Sequence, residues 1–294
     1  MSADLHCHTR LSDGSLGIDD LIVLAHNRGV DILAITDHDC LAGTIRGKII
    51  GERHGVKVIP GVEISATDTK NNNKEVSVLC YLADSPDRLE GLCRRNLLAR
   101  KKASQYMILK AAKKYNIAPE LVIKCASGST NVYKQHIMHA LVECGYSTTI
   151  FGDLYNELFS PESENNIISK IEYPEPKEII EAIHEAGGIA VLAHAGWYNN
   201  FELLENELIG LGIDGVEVWH PKNSEEDREK LIAIAKKNKL LMTGGSDFHG
   251  AYSESPTKIG DCSMPQEDFE LLLKYQAKKK RLQKKAEAKQ AAEK

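Results

Sequence analysis

The chain has 294 residues, 42% of them hydrophobic, and a formal net charge of −5. That length suits one large α/β domain, or one domain that carries an insertion. Residues 277–294 hold a local charge of +6, which leaves −11 on the rest of the chain. An acidic body argues against binding dominated by the phosphate backbone of long nucleic acids.

The sequence lacks the patterns of export and of membrane spans. No basic segment followed by an apolar run opens the chain, and no stretch approaches the roughly 18 apolar residues of a transmembrane helix. We therefore expect a soluble, cytoplasmic protein. The seven cysteines form no C-x-x-C pair, so the spacing predicts neither a disulfide framework nor a cysteine-type zinc site.

Short β-branched runs alternate with helical segments along the chain. The predicted strands cover residues 3–6, 31–36, 56–64, 76–81, 189–193, 215–218 and 240–244. The predicted helices between them cover 19–28, 44–54, 176–186, 201–211 and 224–237. Near-continuous apolar strands that alternate with helices indicate a parallel sheet covered on both faces, either a barrel or a doubly wound sheet.

Residues 84–173 interrupt this alternation. No strand pattern occurs there, and a helical stripe runs through Leu92, Ala99, Ala103, Met107 and Ala111. We predict a barrel domain over 1–83 and 174–276, a helical insertion or cap over 84–173, and a basic tail over 277–294 that is helical or frayed. A cap at this place would cover the pocket mouth; the alternative is a long crossover without a function.

Side chains able to bind metals recur at or just after the predicted strands. They are His6, His8, Asp13, His38, Glu63, His194, His220, Asp247 and His249. The carboxyl ends of barrel strands meet on one face, so these residues are expected to converge. Imidazoles with carboxylates suit Mn²⁺, Fe²⁺ or Zn²⁺, and a carboxylate such as Glu63 can bridge two ions about 3.5–4 Å apart.

A resemblance rests on the order of these motifs. Asp4-Leu5-His6-Cys7-His8, Ser12-Asp13-Gly14, Ile35-Thr36-Asp37-His38-Asp39, Pro60-Gly61-Val62-Glu63-Ile64, Ala193-His194 and Ser246-Asp247-Phe248-His249 resemble the successive motifs of the PHP (polymerase and histidinol phosphatase) family. Within it, the chain most resembles stand-alone bacterial phosphatases acting on AMP and 3′,5′-nucleoside bisphosphates. The resemblance implies a distorted seven-stranded β/α barrel and a metal-dependent phosphoesterase.

The resemblance also implies a ligand set of two metal ions, or three. It assigns His6, His8, Glu63 and Asp247 to the first ion, and Asp13, His38 and His249 to the second. A third ion would use Glu63, His194 and a histidine at the position that Ser77 occupies here. Because a hydroxyl is a poor ligand compared with imidazole, the third ion is in question.

The expected reaction is attack on phosphorus by a metal-bound hydroxide. Tyr133-Lys134-Gln135-His136 resembles an Arg-Pro-His element that faces substrate in related enzymes, so Lys134 and His136 are expected to contact substrate. The alternative is that both are exposed helix residues. His220 and Lys222 are further candidates for substrate contacts, and His220 and His136 are the candidates for the general acid.

Other functions stay open at this point. Histidinol phosphate is a second substrate candidate, and 5′–3′ exonuclease action on short RNA is a third, supported only by the basic tail. A non-catalytic, metal-binding regulatory domain is a reading of another class. Hydrolysis at carbon, as in amidohydrolase barrels, lacks the bridging lysine that those enzymes carry on a barrel strand. Metal identity and oligomeric state are not predicted.

Overall fold

A computed structural model describes residues 1–254 and 257–292. All seven predicted strands are present, as β1 (Ala3–Asp4), β2 (Ile32–Ile35), β3 (Lys57–Asp68), β4 (Lys74–Tyr81), β5 (Ile189–Leu192), β6 (Gly215–Trp219) and β7 (Leu241–Gly244). They form one sheet in chain order. The Leu5 N–H donates to the Gly244 carbonyl across the two edge strands, at 3.1 Å. The sheet is a nearly closed, distorted barrel, which confirms the predicted fold class.

The prediction of an all-parallel sheet was wrong at one strand. β4 is antiparallel to both of its neighbours, β3 and β5. Only five residues join β3 to β4, and a parallel connection needs a crossover of a dozen or more. Asn72 and Asn73 both have positive φ in this turn, a conformation that asparagine tolerates better than most residues. β4 therefore starts, rather than ends, at the face where the candidate ligands meet.

Ten helices surround this sheet in the described part of the chain. They are α1 (Ile18–Asn27), α2 (Gly43–His54), α3 (Glu90–Tyr115), α4 (Pro119–Cys125), α5 (Lys134–Glu143), α6 (Asp153–Phe159), α7 (Pro176–Glu185), α8 (Phe201–Leu203), α9 (Glu225–Asn238) and α10 (Gln266–Ala292). The helix predicted over 201–211 is instead the short α8, which continues as the π-helical turn Leu204–Leu208.

Helices α3 to α6 form the insertion between β4 and β5. Their buried side chains, among them Met107, Ile137, Leu141 and Leu158, make a hydrophobic cluster of their own. In α3 the predicted stripe is buried at Leu92 and at three further positions, whereas Ala99 is only partly buried. The helical insertion is thus confirmed as part of the fold. The division into separate barrel and cap domains stays a prediction.

The first half of α10 packs across the amino-terminal end of the barrel. Phe269 and Leu272 are buried against barrel strands. The Gln276 amide donates to the carbonyls of Leu82 and Gly187, at 2.7 and 2.9 Å. The helix then continues through the predicted tail to Ala292; residues 293–294 lie outside the described part. No described helix has both the length and the apolarity needed to cross a bilayer.

Candidate metal centre

Glu63 lies at the middle of the converging side chains. Its Oε2 is 3.3 Å from His6 Nε2, 3.2 Å from His8 Nε2 and 3.3 Å from His38 Nδ1. Its Oε1 is 3.1 Å from His194 Nε2. The sequence pattern places Glu63 near the end of its strand. In the structure β3 continues to Asp68, so Glu63 lies inside the strand. A carboxylate that contacts four imidazoles has the position of a bridging ligand.

Two groups of possible ligands share this carboxylate and its surroundings. In the first, Asp247 Oδ1 is 3.5 Å from His6 Nε2 and 3.3 Å from His8 Nε2. In the second, Asp13 Oδ1 is 3.3 Å from His249 Nε2, and Asp13 Oδ2 is 3.8 Å from His38 Nε2. The structure brings together the side chains that the sequence assigns to each ion.

The chemistry of these side chains fits divalent cations. Nε2 of His8, Oδ1 of Asp13 and Nδ1 of His38 are buried and have no hydrogen-bond partner among the described residues. Burial raises the pKa of Asp13, Glu63 and Asp247, but the surrounding imidazoles outweigh it and hold each pKa well below its usual range. Three ionised carboxylates in a buried site require nearby positive charge.

Without a metal ion, part of that charge falls on histidine. Burial lowers the pKa of His8, but interactions with Asp247 and Glu63 outweigh it and raise the value to about 10. Divalent ions that replace this proton would satisfy the carboxylates and the orphaned ring nitrogens together.

A third ion would lack ligands. His194 contacts Glu63, but the described residues place no third metal-binding side chain within reach of that pair. Ser77 lies in the cavity wall at this point and is 6% exposed. Because Ser77 carries only a hydroxyl, the third ligand set that the resemblance implies is incomplete in this chain.

The backbone is strained where it presents two of these side chains. His194 and Asp247 have φ of 31° and 50°, in the left-handed region. Non-glycine residues there cost about 1–3 kcal/mol and cluster at functional sites. Gly245 precedes this second strained turn, and a Cβ on it would lie 2.3 Å from His6 Cβ. Only glycine allows the two strand ends to approach this closely.

Glu217 is a functional residue that the sequence analysis missed. It is fully buried. Its Oε1 accepts from His6 Nδ1 at 2.9 Å, and its Oε2 accepts the His194 N–H at 2.9 Å. A carboxylate on Nδ1 leaves the Nε2 lone pair of His6 free to bind a metal. The sequence feature that could have identified Glu217 is its position as a charged residue between two apolar residues, in Val216-Glu217-Val218.

His220 and Lys222 are the remaining candidates for substrate contacts, and they lie in different surroundings. His220 is fully buried and does not line the cavity above the centre. The Lys222 N–H donates to its Nδ1, so the neutral ring carries its proton on Nε2, 3.4 Å from Asp247 Oδ2. His220 Nε2 has no hydrogen-bond partner among the described residues, and the ring belongs to one group of possible metal ligands with His6 and Asp247. The Lys222 ammonium does line the cavity, although it is paired with Glu254 at 2.8 Å.

The expectation that His136 acts as a general acid is not supported. The Tyr133 N–H donates to His136 Nδ1 at the start of α5, at 3.1 Å, and the ring lines a neighbouring cavity instead. Burial lowers the pKa of His136 to about 4. An imidazole with that pKa is neutral at pH 7 and holds too few protons to act as an acid.

A cavity of about 370 Å³ opens above the centre. Its walls add residues that the sequence analysis did not single out, namely Arg100, Gln135, Phe151, Tyr155, Trp197 and Tyr198. Arg100 is mostly buried. It donates to Ser65 Oγ at 2.8 Å and lies 3.5 Å from Asp39 Oδ2. Lys134 also lines the cavity, and its ammonium lies 5.9 Å from the centre of the Phe159 ring.

A family model for the PHP domain matches residues 4–279. This chain belongs to the PHP family. It is 33% identical to a phosphoribosyl 1,2-cyclic phosphate 1,2-diphosphodiesterase from Eggerthella lenta, over 87% of this chain and 97% of the relative. It is 32% identical to the 5′-3′ exoribonuclease Rnm of Escherichia coli, with 84% of each chain covered.

Two further similarities concern a phosphatase and a solved structure. A 3′,5′-nucleoside bisphosphate phosphatase from Chromobacterium violaceum is 27% identical, over 84% of this chain and 86% of the relative. A Bifidobacterium adolescentis protein, described as a metal-dependent phosphoesterase, superimposes with a TM-score of 0.82 at 31% identity, over 92% of this chain and 95% of that one. The PHP members similar to this chain therefore include enzymes for phosphate monoesters and for diesters.

Proposed function

We propose that this PHP protein is a metal-dependent phosphoesterase that acts on a small ribose phosphate bearing a second phosphate group. A 3′,5′-nucleoside bisphosphate is the nucleotide form of that substrate, and AMP, which carries one phosphate, is the alternative nucleotide expected from the sequence. The observation that carries the proposal is the buried histidine and carboxylate cluster at the floor of a cavity. The walls of that cavity carry both basic and acidic side chains, namely Arg100, Lys134, Lys222, Glu75 and Glu254. A cavity of about 370 Å³ is the size of small-molecule sites, which span roughly 300–1,000 Å³.

The residues of the site have two proposed roles, as metal ligands and as positioning residues. His6, His8, Glu63 and Asp247 would hold one divalent ion, and Asp13, His38 and His249 the other. When bound, such ions acidify water and offset the charge on phosphoryl oxygens. Glu217 and His220 act as positioning residues, because each contacts a predicted ligand rather than the cavity.

The second phosphate is proposed to bind near the start of α5. Lys134 is the first residue of that helix, where unpaired backbone N–H groups and the helix dipole favour an anion. Arg100 lies beside it, with its guanidinium 4.8 Å from the centre of the Tyr133 ring. The substrates named for the Eggerthella and Chromobacterium relatives share this chemistry, since each carries two phosphate groups on one ribose.

We expect Lys134→Met to raise KM for a ribose bisphosphate by about 10- to 100-fold, because charge-assisted hydrogen bonds contribute about 1.5–3 kcal/mol. KM for a ribose monophosphate should change less than about threefold by the same reasoning. Lys102→Met is the matched control, since Lys102 is exposed on α3 and does not line the cavity. Equal losses for both substrates would contradict a second phosphate site at Lys134.

Trp197 is expected to separate nucleotides from base-free ribose phosphates. Its ring lines the cavity, is 40% exposed, and stacks beside His220 at an interplanar angle of 19°. Stacking of a base on an aromatic side chain contributes about 1–3 kcal/mol. Trp197→Ala should therefore raise KM for a nucleotide about 5- to 150-fold. Trp197→Phe, which keeps an aromatic ring, should leave KM for the nucleotide close to the wild-type value. A variant that leaves every KM unchanged would favour a phosphoribosyl substrate without a base.

The substrate class is tested by chromatography of the products formed with Mn²⁺. Inorganic phosphate is followed for AMP, a 3′,5′-nucleoside bisphosphate and histidinol phosphate, the ring-opened monoester for a ribose cyclic phosphate, and released 5′-nucleotides for short 5′-phosphorylated RNA. The proposal expects the highest kcat/KM for a compound with two phosphates on one ribose. Highest efficiency on RNA would favour the exoribonuclease reading, which the similarity to the Escherichia coli enzyme supports. No hydrolysis by metal-loaded protein would favour a regulatory, metal-binding domain.

A further inference from the structure

A second group of metal-binding side chains lies in the helical insertion, away from the centre described above. It consists of Cys125, His139 and Glu143, whose ligand atoms all lie within 4.8 Å of one another. His139 and Glu143 are four residues apart on α5 and so share one helix face. Cys125 ends α4, which packs against α5. The three side chains border a cavity of about 330 Å³.

The ring of His139 is oriented for coordination. Its Nδ1 is 2.7 Å from Tyr252 Oη, and its Nε2 is 3.5 Å from Glu143 Oε1. When Nδ1–H donates to the tyrosine oxygen, the Nε2 lone pair faces the other two ligand atoms. Metal-binding histidines almost always have such a partner on their second nitrogen.

A further histidine, His136, lines the same cavity. His136 is 1% exposed, and its Nδ1 is used by the Tyr133 N–H. The proton of the neutral ring is therefore on Nε2. The ring lines the cavity, and Nε2 has no hydrogen-bond partner among the described residues. Solvent in the cavity can accept from this N–H, and the metal site is inferred from Cys125, His139 and Glu143 alone.

We propose that Cys125, His139 and Glu143 bind a zinc-like transition-metal ion, with a solvent molecule as the fourth ligand. Ligand atoms about 2.0–2.3 Å from a tetrahedral ion are roughly 3.3–3.8 Å apart. The half-exposed Glu143 can close the remaining distance by a change of rotamer. A thiolate selects zinc-like ions over Mg²⁺ or Mn²⁺, which prefer oxygen. Cysteine spacing did not reveal this site because its ligands come from two helices.

An ion here would link α4 to α5 within the insertion, and the His139–Tyr252 hydrogen bond connects the site to the turn Gly250–Tyr252. Cys125 and Glu143 belong to α4 and α5, whereas Tyr252 belongs to the 3₁₀ turn Gly250–Tyr252 that follows the predicted ligand His249. The proposed site is thus a structural one. It does not depend on which phosphoester the main centre hydrolyses.

Cobalt spectroscopy distinguishes this site from the main centre, whose ligand groups are imidazoles and carboxylates only. Metal-stripped protein titrated with Co²⁺ should develop thiolate-to-cobalt charge-transfer absorption that saturates at one ion per chain. Cys125→Ser should lose the absorption. Cys144→Ser, which removes an exposed thiol at the end of α5, should keep it, and so should Asp247→Ala.

Zinc content gives a second readout. Protein loaded with Zn²⁺ and freed of excess metal should hold about one ion fewer per chain in Cys125→Ser than in Cys144→Ser, with Mn²⁺-dependent turnover unchanged. Equal zinc contents, or a cobalt-loaded wild type without charge-transfer absorption, would overturn the proposal. Loss of Mn²⁺-dependent turnover in Cys125→Ser would also count against it, since the site would then serve catalysis.

Discussion

Replacing Asp247 with alanine is expected to lower metal-dependent kcat/KM by about 1,000-fold or more. Asp247 contacts His6 and His8 at 3.5 and 3.3 Å and completes the first predicted ligand group. Its loss removes a negative charge from a buried site that must hold cations. A catalytic ion supplies several kcal/mol of transition-state stabilisation, and each 1.4 kcal/mol corresponds to a tenfold change in rate.

The measurement is the initial rate of phosphate release together with the bound-metal content, for the wild type, Asp247→Ala and Asp87→Ala. Asp87→Ala is the control, because Asp87 is exposed and distant in sequence from every predicted ligand. The variant should bind less metal and lose turnover, whereas the control should match the wild type. Asp247→Ala with wild-type turnover would remove Asp247 from the metal assignment.

Glu217→Gln is expected to weaken metal binding by about 10- to 100-fold, the usual effect of losing a partner behind a ligand. Burial raises the pKa of Glu217, but the neighbouring His6 ring outweighs it and keeps the carboxylate ionised. Glutamine preserves the shape and one acceptor but loses the charge that polarises His6. Its amide nitrogen also cannot accept the His194 N–H that Glu217 Oε2 accepts.

This prediction separates positioning from catalysis. Because Glu217 touches ligands rather than the cavity, kcat at saturating metal should return to within a few-fold of wild type. The concentration of Mn²⁺ for half-maximal rate should rise. Glu226→Gln, on the exposed face of α9, should change neither. An unchanged metal dependence in Glu217→Gln would show that the contact with His6 is only structural.

The strand pattern and the ligand motifs were readable because both are local. Each predicted strand is a short apolar run, and each predicted metal ligand follows from a motif of two to five residues. The apolar pattern of β4 does not encode its direction. The antiparallel orientation follows instead from the asparagine-rich turn before it, which is too short for a crossover.

The roles of side chains that depend on hydrogen bonds or packing were harder to predict from the sequence. His136 shares a motif with substrate-facing residues, yet the hydrogen bond from the Tyr133 N–H turns its ring to another cavity. Arg100 is one of many basic residues in a charged helix, and only packing against Tyr133 and Tyr173 distinguishes it. Periodicity places such residues on a helix face but does not say which cavity they line.

The central claim is that the buried histidine and carboxylate cluster holds the ions that make this chain a phosphoesterase. Its most direct test is restoration of activity in metal-stripped protein, with phosphate release from a ribose bisphosphate followed as Mn²⁺ is added. Mn²⁺ also avoids the thiol-containing site proposed in the insertion. The account predicts negligible release without metal and a rate that saturates at about two bound ions per chain. Full turnover by metal-free protein in the presence of a chelator would contradict it.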